Sequence, residues 1–118
     1  PMISIKGDEK AIRSLITILL DNAVKYTNER GRIDVTLGKK KNRIYLSVFN
    51  TTEYISKEQT SRLFDRFYRT DISRNSQTGG YGLGLSIAAA TADSHKGKIM
   101  AETEDEKSLR ITVTFPGQ

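Results

Sequence analysis

Ile33, Val35 and Leu37, and then Ile44, Leu46 and Val48, alternate with polar residues; the same pattern returns in Ile99 and Ala101 and in Leu109, Ile111, Val113 and Phe115. Alternation places one set of side chains on one face of a pleated strand, so each stretch predicts a strand with one face to bury. Turn residues separate the stretches in pairs: Gly38 to Asn42 in the first, the acidic Glu104-Asp105-Glu106-Lys107 in the second. Two antiparallel hairpins follow, and Pro116 suits the end of the last strand. Such a sheet needs a cover. From Asp8 to about Asn28, the residues Ile12, Leu15, Ile16, Leu19, Leu20, Ala23 and Val24 recur at helical spacing, with Asp8 placed to cap the start and Gly31 to stop the helix. Ser56 predicts the cap of a short helix through Leu63. The alanine-rich run Ser86 to Ala92 predicts another helix, with Leu83, Ile87 and Ala90 on one face and His95-Lys96-Gly97 at its end.

Gly79, Gly80, Gly82 and Gly84 fall within six residues and lead into that last helix. A glycine loop feeding a helix N-terminus points free N–H groups at an anion, which makes this stretch a candidate phosphate cradle. It is neither of the two best-known glycine loops. Gly79 and Gly84 have P-loop separation but precede Leu85-Ser86 instead of Lys-Ser/Thr, and a dinucleotide fingerprint starting at Gly80 needs glycine or alanine where Leu85 stands. Arg62, Arg66, Arg69 and Arg74 lead into the loop and add positive charge beside it. The segment from Arg69 to Tyr81 is polar, aperiodic and bounded by glycine, which predicts a lid.

The 118 residues contain no cysteine, so disulfides and thiolate metal sites are excluded, and no stretch approaches a membrane span. A net charge of +5 permits nucleic-acid binding, but Lys39-Lys40-Lys41 sits at a predicted hairpin tip, where a charge run is solvated, and no groove-reading or base-stacking motif accompanies it. With no internal repeat or linker, residues 1–118 are read as one domain, and nucleic acid and direct membrane contact are not expected.

Three motifs carry a family resemblance over nearly the whole chain. Leu19-Leu20-Asp21-Asn22-Ala23-Val24-Lys25-Tyr26 resembles the N box of bacterial sensor histidine kinases, Leu63-Phe64-Asp65-Arg66-Phe67-Tyr68-Arg69 their F box, and Gly80-Tyr81-Gly82-Leu83-Gly84-Leu85 their G2 box, in the family's order. His95-Lys96-Gly97 is similar to the His-Gly-Gly that precedes a strand in the family. The resemblance implies a Bergerat-type α+β fold: a two-layer sandwich with a mixed, mostly antiparallel sheet of about five strands and about three helices on one face. It also implies ATP and Mg²⁺ as cofactors. Asn22 would be the magnesium ligand, Lys25 and Arg69 would neutralise phosphate, and Tyr26 would border the nucleotide. Asn50 and Ile55 would line the adenine pocket, and Phe67 would anchor the lid. Gly80, Gly82, Leu83, Gly84 and Leu85 would let the backbone approach the phosphates.

Two departures from the family pattern bear on function. The family's Asp-x-Gly-x-Gly is here Asn50-Thr51-Thr52-Glu53-Tyr54, so Asn50 keeps an acceptor oxygen while Thr52 and Tyr54 bring side chains expected to crowd the base or stiffen the loop. Restoring aspartate at position 50 is expected to keep or improve adenine binding. Four residues before Asn22, where related ATPases carry a glutamate as general base, stands Ile18, which cannot activate water and so points to transfer over hydrolysis. The implied function is phosphoryl transfer from Mg-ATP to a histidine on a separate dimerisation domain, followed by a response-regulator receiver domain, in the cytoplasm. The phosphoacceptor is not in this chain. Its one histidine, His95, lies at a helix end before a strand, which predicts a structural role. The alternative reading is a non-catalytic relative that uses the same fold for protein interaction.

Overall fold

A computed structural model describes residues 9–65 and 84–116. Helix α1 spans Glu9–Tyr26, strands β1 and β2 span Ile33–Lys40 and Arg43–Thr51, helix α2 spans Lys57–Ser61, helix α3 spans Gly84–Ser94, and β3 and β4 span Lys98–Glu102 and Ser108–Pro116. The four strands form one sheet in the order β1-β2-β4-β3, every neighbouring pair antiparallel. The expected mixed sheet of about five strands is therefore a four-stranded antiparallel sheet among the described residues, with three helices. The expected cap Asp8 lies outside them.

The register explains where the core sits. Ile44, Leu46, Val48 and Asn50 of β2 share a face with Leu109, Ile111, Val113 and Phe115 of β4, because Leu46 pairs with Val113 and Val48 with Ile111. That face meets Leu15, Leu19 and Ala23 of α1 and Ala88 and Ala92 of α3 in one core that also takes in Ile55 and Leu63. Fully burying a leucine such as Leu15 or Leu19 is worth about 1.5–3 kcal/mol, so the α1 stripe supplies a large share of the drive to cover the sheet. The α3 face differs from expectation. Ile87 is 51% exposed and Ala90 is exposed, whereas Ala88 and Ala92, four apart, are buried. With no side chain beyond Cβ, those two alanines let α3 lie close against its neighbours.

Strand β1 pairs in register as read from the sequence, but its apolar residues are not covered: Val35 is 52% and Leu37 59% exposed. The turn of this hairpin is also tighter than expected. Gly38 lies within β1, and Lys41 and Asn42 form a two-residue turn at φ of 50° and 63°. Positive φ at both positions marks a type I′ turn, which matches strand twist but costs a lysine conformational energy that asparagine or glycine avoids. Replacing Lys41-Asn42 by Asn-Gly should therefore stabilise the domain by about 1 kcal/mol, read as a higher urea midpoint at unchanged slope.

On the opposite face of the sheet Phe49 is flanked by two guanidinium groups, Arg32 at 5.2 Å and Arg110 at 5.1 Å from its ring centre. Arg110 also donates to the Ser47 hydroxyl at 2.8 Å, and Arg32 pairs with Asp34 at 2.8 Å. These contacts cover with charge a face that no described helix packs upon. At the end of α3, His95 Nδ1 lies 2.8 Å from the Thr91 carbonyl oxygen. A carbonyl only accepts, so Nδ1 carries the proton, and the ring stands edge-on to Phe115 at 6.3 Å. The structural role expected for His95 is thus what the geometry gives it.

Candidate nucleotide site

The site residues of α1 follow from helical spacing. Ile18, Asn22 and Lys25 lie on one border of the stripe that buries Leu15, Leu19 and Ala23, and all three are half-buried. Tyr26, at the last turn, is buried. Gly84 opens α3 against this border: a Cβ built on Gly84 would meet Ile18 Cγ2 at 3.6 Å, an ordinary contact. The first turn of α3 therefore begins about one turn of α1 away from Asn22. It carries no acidic residue, which suits an anion at this helix end. Leu85 packs from this turn onto the core. Phe67, Arg69, Gly80, Gly82 and Leu83, with the expected lid from Arg69 to Tyr81, lie outside the described residues.

Asn50 sits at the end of β2 on the helix-facing side and is 1% exposed. Its Nδ2 donates to the Thr51 carbonyl oxygen at 3.0 Å. Because that oxygen can only accept, the amide has one orientation, and Oδ1 is its outward acceptor. Among the described residues Oδ1 receives no hydrogen bond. An aspartate here would set a carboxylate oxygen against the carbonyl, which counts against the expectation that aspartate serves as well or better.

The loop after Asn50 is held by the β3–β4 turn. Thr52 N–H donates to the Lys107 carbonyl and Ile55 N–H to the Glu106 carbonyl, both at 2.9 Å, and Ile55 is buried in the core. Tyr54, expected to crowd the base or stiffen the loop, is directed at the β3–β4 turn. It is 57% exposed and its hydroxyl donates to Glu106 Oε2 at 3.2 Å, a bond to a carboxylate that raises its pKa. The turn is itself ordered: Asp105 Oδ1 accepts from the Lys107 N–H and the Ser108 hydroxyl, both at 2.9 Å, which lowers the Asp105 pKa. Past Ile55, Ser56 and Gln59 form a reciprocal capping box that starts α2.

Residues 7–118 match the family described as histidine kinase-, DNA gyrase B-, and HSP90-like ATPase. The chain belongs to that family. This ATPase-family domain is 41% identical over 114 residues to the sensor histidine kinase YkoH of Bacillus subtilis, covering 97% of this chain and 25% of YkoH. It is 42% identical over 119 residues to the sensor protein CiaH of Streptococcus pneumoniae, covering 98% of this chain and 27% of CiaH. The domain thus spans about a quarter of the length of the relatives it matches. Among solved structures, the mycobacterial sensor histidine kinase MprB superposes with a TM-score of 0.84 at 24% identity, over 97% of this chain and 77% of that one. Full-length ShkA in complex with AMPPNP gives 0.82 at 25% identity, over 99% of this chain and 24% of that one. The histidine kinase ThkA in complex with the response regulator TrrA gives 0.76 at 26% identity, over 97% of this chain and 30% of that one. The family and the fold expected from the three motifs are those found, and the fold is that of histidine kinase catalytic domains.

Sequence reasoning missed the junction that closes this domain's α1–β1 connection beside the site. The Thr51 hydroxyl donates to Asn28 Oδ1 and accepts from the Arg32 N–H, each at 2.8 Å. Gly31 fits into it because a Cβ would fall among the side-chain oxygens of Thr27, Asn28 and Thr51. An Asn-x-x-Gly after a helix signals a turn, but nothing local signals a partner in β2. Among the described residues no cluster of His, Cys, Asp or Glu could hold a metal ion, and no helix is long and apolar enough to cross a membrane.

Proposed function

We propose that this domain binds Mg-ATP and presents its γ-phosphoryl to a histidine on a separate dimerisation domain, as the nucleotide-binding part of a two-component sensor kinase. The observation that carries the reading is the approach of α3 to α1. The first turn of α3 opens beside Ile18, on the border that carries Asn22 and Lys25. An anion at that turn meets backbone donors, an ammonium group and an amide oxygen together. Asn50, buried at the end of β2 with an outward acceptor, suits the amino group of adenine.

The residues fit magnesium in the manner of a nucleotide-borne ion. With no acidic cluster among the described residues, the ion would be held mainly by phosphate oxygens and water, and Asn22 would add one neutral oxygen. Bound there, magnesium would neutralise charge developing on the transferring phosphoryl group. Lys25 and the α3 N–H groups orient the phosphates, and Ile18 cannot itself act as a base to activate water. The outward course of Tyr54 supports ATP binding over a non-catalytic reading, since one of the two side chains expected to crowd the base or stiffen the loop lies on the β3–β4 turn. ShkA with AMPPNP and ThkA with TrrA support the nucleotide, and a response regulator receiver domain, as partners of this chain too. The reaction is placed in the cytoplasm, where ATP is.

Calorimetry tests the reading. ATP should bind at least about tenfold more tightly with Mg²⁺ than with EDTA, because the ion screens the phosphates against one another and adds the Asn22 contact. Absence of binding at millimolar ATP in both conditions would sink the proposal.

A further inference from the structure

We infer that Thr52, which stands where the family pattern has glycine, is a nucleobase-reading residue whose hydroxyl donates to the bare ring nitrogen N1 of adenine, beside the exocyclic amine received by Asn50. The inference rests on the nucleotide-binding reading above and extends it to a residue that the family pattern leaves without a side chain. Thr52 is 3% exposed, and its Oγ1 is buried without a hydrogen-bond partner among the described residues. The other buried hydroxyls around it are satisfied: Thr60 donates to the Lys57 carbonyl, Ser108 to Asp105, and Thr103 accepts from the Glu106 N–H. A second orphan, the Thr27 hydroxyl, belongs to the Gly31 junction, where the neighbouring Thr51 hydroxyl of β2 is already engaged by Asn28 Oδ1 and the Arg32 N–H. A buried hydroxyl left unpaired is unfavourable, and such groups mark a place where a ligand completes the bond.

Geometry pairs Thr52 with Asn50. The Thr52 N–H bond to the Lys107 carbonyl continues the β2–β4 pairing one residue past Thr51 and Ser108, so the chain is still extended there. Residues two apart in an extended chain share a face. Register therefore puts the buried Asn50 and Thr52 on the same side of the sheet, with Thr52 Oγ1 unpartnered among the described residues. Asn50 cannot swap its acceptor for a donor, because its NH₂ is held on the Thr51 carbonyl. A hydroxyl beside it is free to donate. The pair therefore offers an acceptor next to a donor, which matches the N6 amine and bare N1 of adenine and mismatches the carbonyl and ring N–H of an oxopurine.

The test measures binding of ATP and of 1-deaza-ATP, which keeps the amine but replaces N1 by C–H, to the 118-residue chain and two variants. The wild-type chain should favour ATP over 1-deaza-ATP by about fivefold to twentyfold. Thr52→Val, of nearly the same shape, should bind ATP weaker by a similar factor and bind the two nucleotides equally. Its melting temperature without nucleotide should be unchanged or higher, because an unpaired buried hydroxyl has been removed. A merely structural hydroxyl would instead lower it. Thr52→Ser keeps the hydroxyl, should keep the preference for ATP, and serves as the folded control. Equal discrimination by wild type and Thr52→Val would overturn the role of Thr52 while leaving nucleotide binding intact. Failure of the wild-type chain to bind ATP at all would remove the underlying reading as well.

Discussion

Asn22→Ala should lower phosphoryl transfer by at least about a hundredfold, since it removes the proposed protein oxygen on magnesium and with it the fixed geometry of the metal-bound phosphates. The domain itself should not suffer. Asn22 is half-buried on the border of α1, outside the row Leu15, Leu19 and Ala23 that packs into the core, and alanine is the better helix former by about half a kcal/mol. Thermal unfolding of the variant should therefore match or slightly exceed wild type. Autophosphorylation of a histidine-bearing dimerisation domain, fused or supplied in trans, gives the activity. A variant that transfers phosphoryl at the wild-type rate would show that magnesium is held by other groups.

Gly97→Ala should be the most destabilising single-methyl change in the described structure, by about 3 kcal/mol or more. The reason is space. A Cβ on Gly97 would fall against the Thr114 carbonyl oxygen, with Phe115 Cδ1 at 3.0 Å and the Ala92 carbonyl oxygen at 3.2 Å. Two of those three neighbours are backbone and cannot swing aside. Gly97 N–H also donates to the Ala92 carbonyl at 2.8 Å, closing the end of α3 and launching β3 beside β4, so relief by backbone shift would break that bond. The left-handed residue here is Lys96, at φ 61°, in the place where the family pattern has the first of two glycines. Urea unfolding should show the loss as a lower midpoint. Little change would mean that the α3–β3 joint opens readily to admit a methyl group.

The contrast between those two sites mirrors what the sequence could and could not convey. Helical spacing alone placed Ile18, Asn22 and Lys25 on one border of α1, and strand alternation gave β2 and β4 their inward residues, because both periodicities are local properties of the chain. Alternation in β1 told which side Val35 and Leu37 face, yet could not tell that this side stays uncovered, which depends on where α1 lies over the sheet. In α3 the run Ile87 to Ala90 offers apolar residues on several faces, so the pattern did not single out Ala88 and Ala92. The site was half legible for the same reason. Asn50 was a visible acceptor candidate, but its amide orientation depends on the Thr51 carbonyl, and the outward course of Tyr54 depends on Glu106, which is distant in sequence and adjacent only in the fold.

The clamp on residues 52–55 has a consequence for how such a loop can change over evolution. Its course is fixed by two main-chain bonds, from Thr52 N–H to the Lys107 carbonyl and from Ile55 N–H to the Glu106 carbonyl, which any non-proline residue can make. Glu53 and Tyr54, between those points, are both exposed and are free to drift without altering the path of the backbone. Constraint is displaced onto the opposite turn, where Glu106 must hold a left-handed φ of 62° to present its carbonyl. A lineage could therefore lose glycines on the nucleotide side and keep the loop, provided the β3–β4 turn preserved its shape.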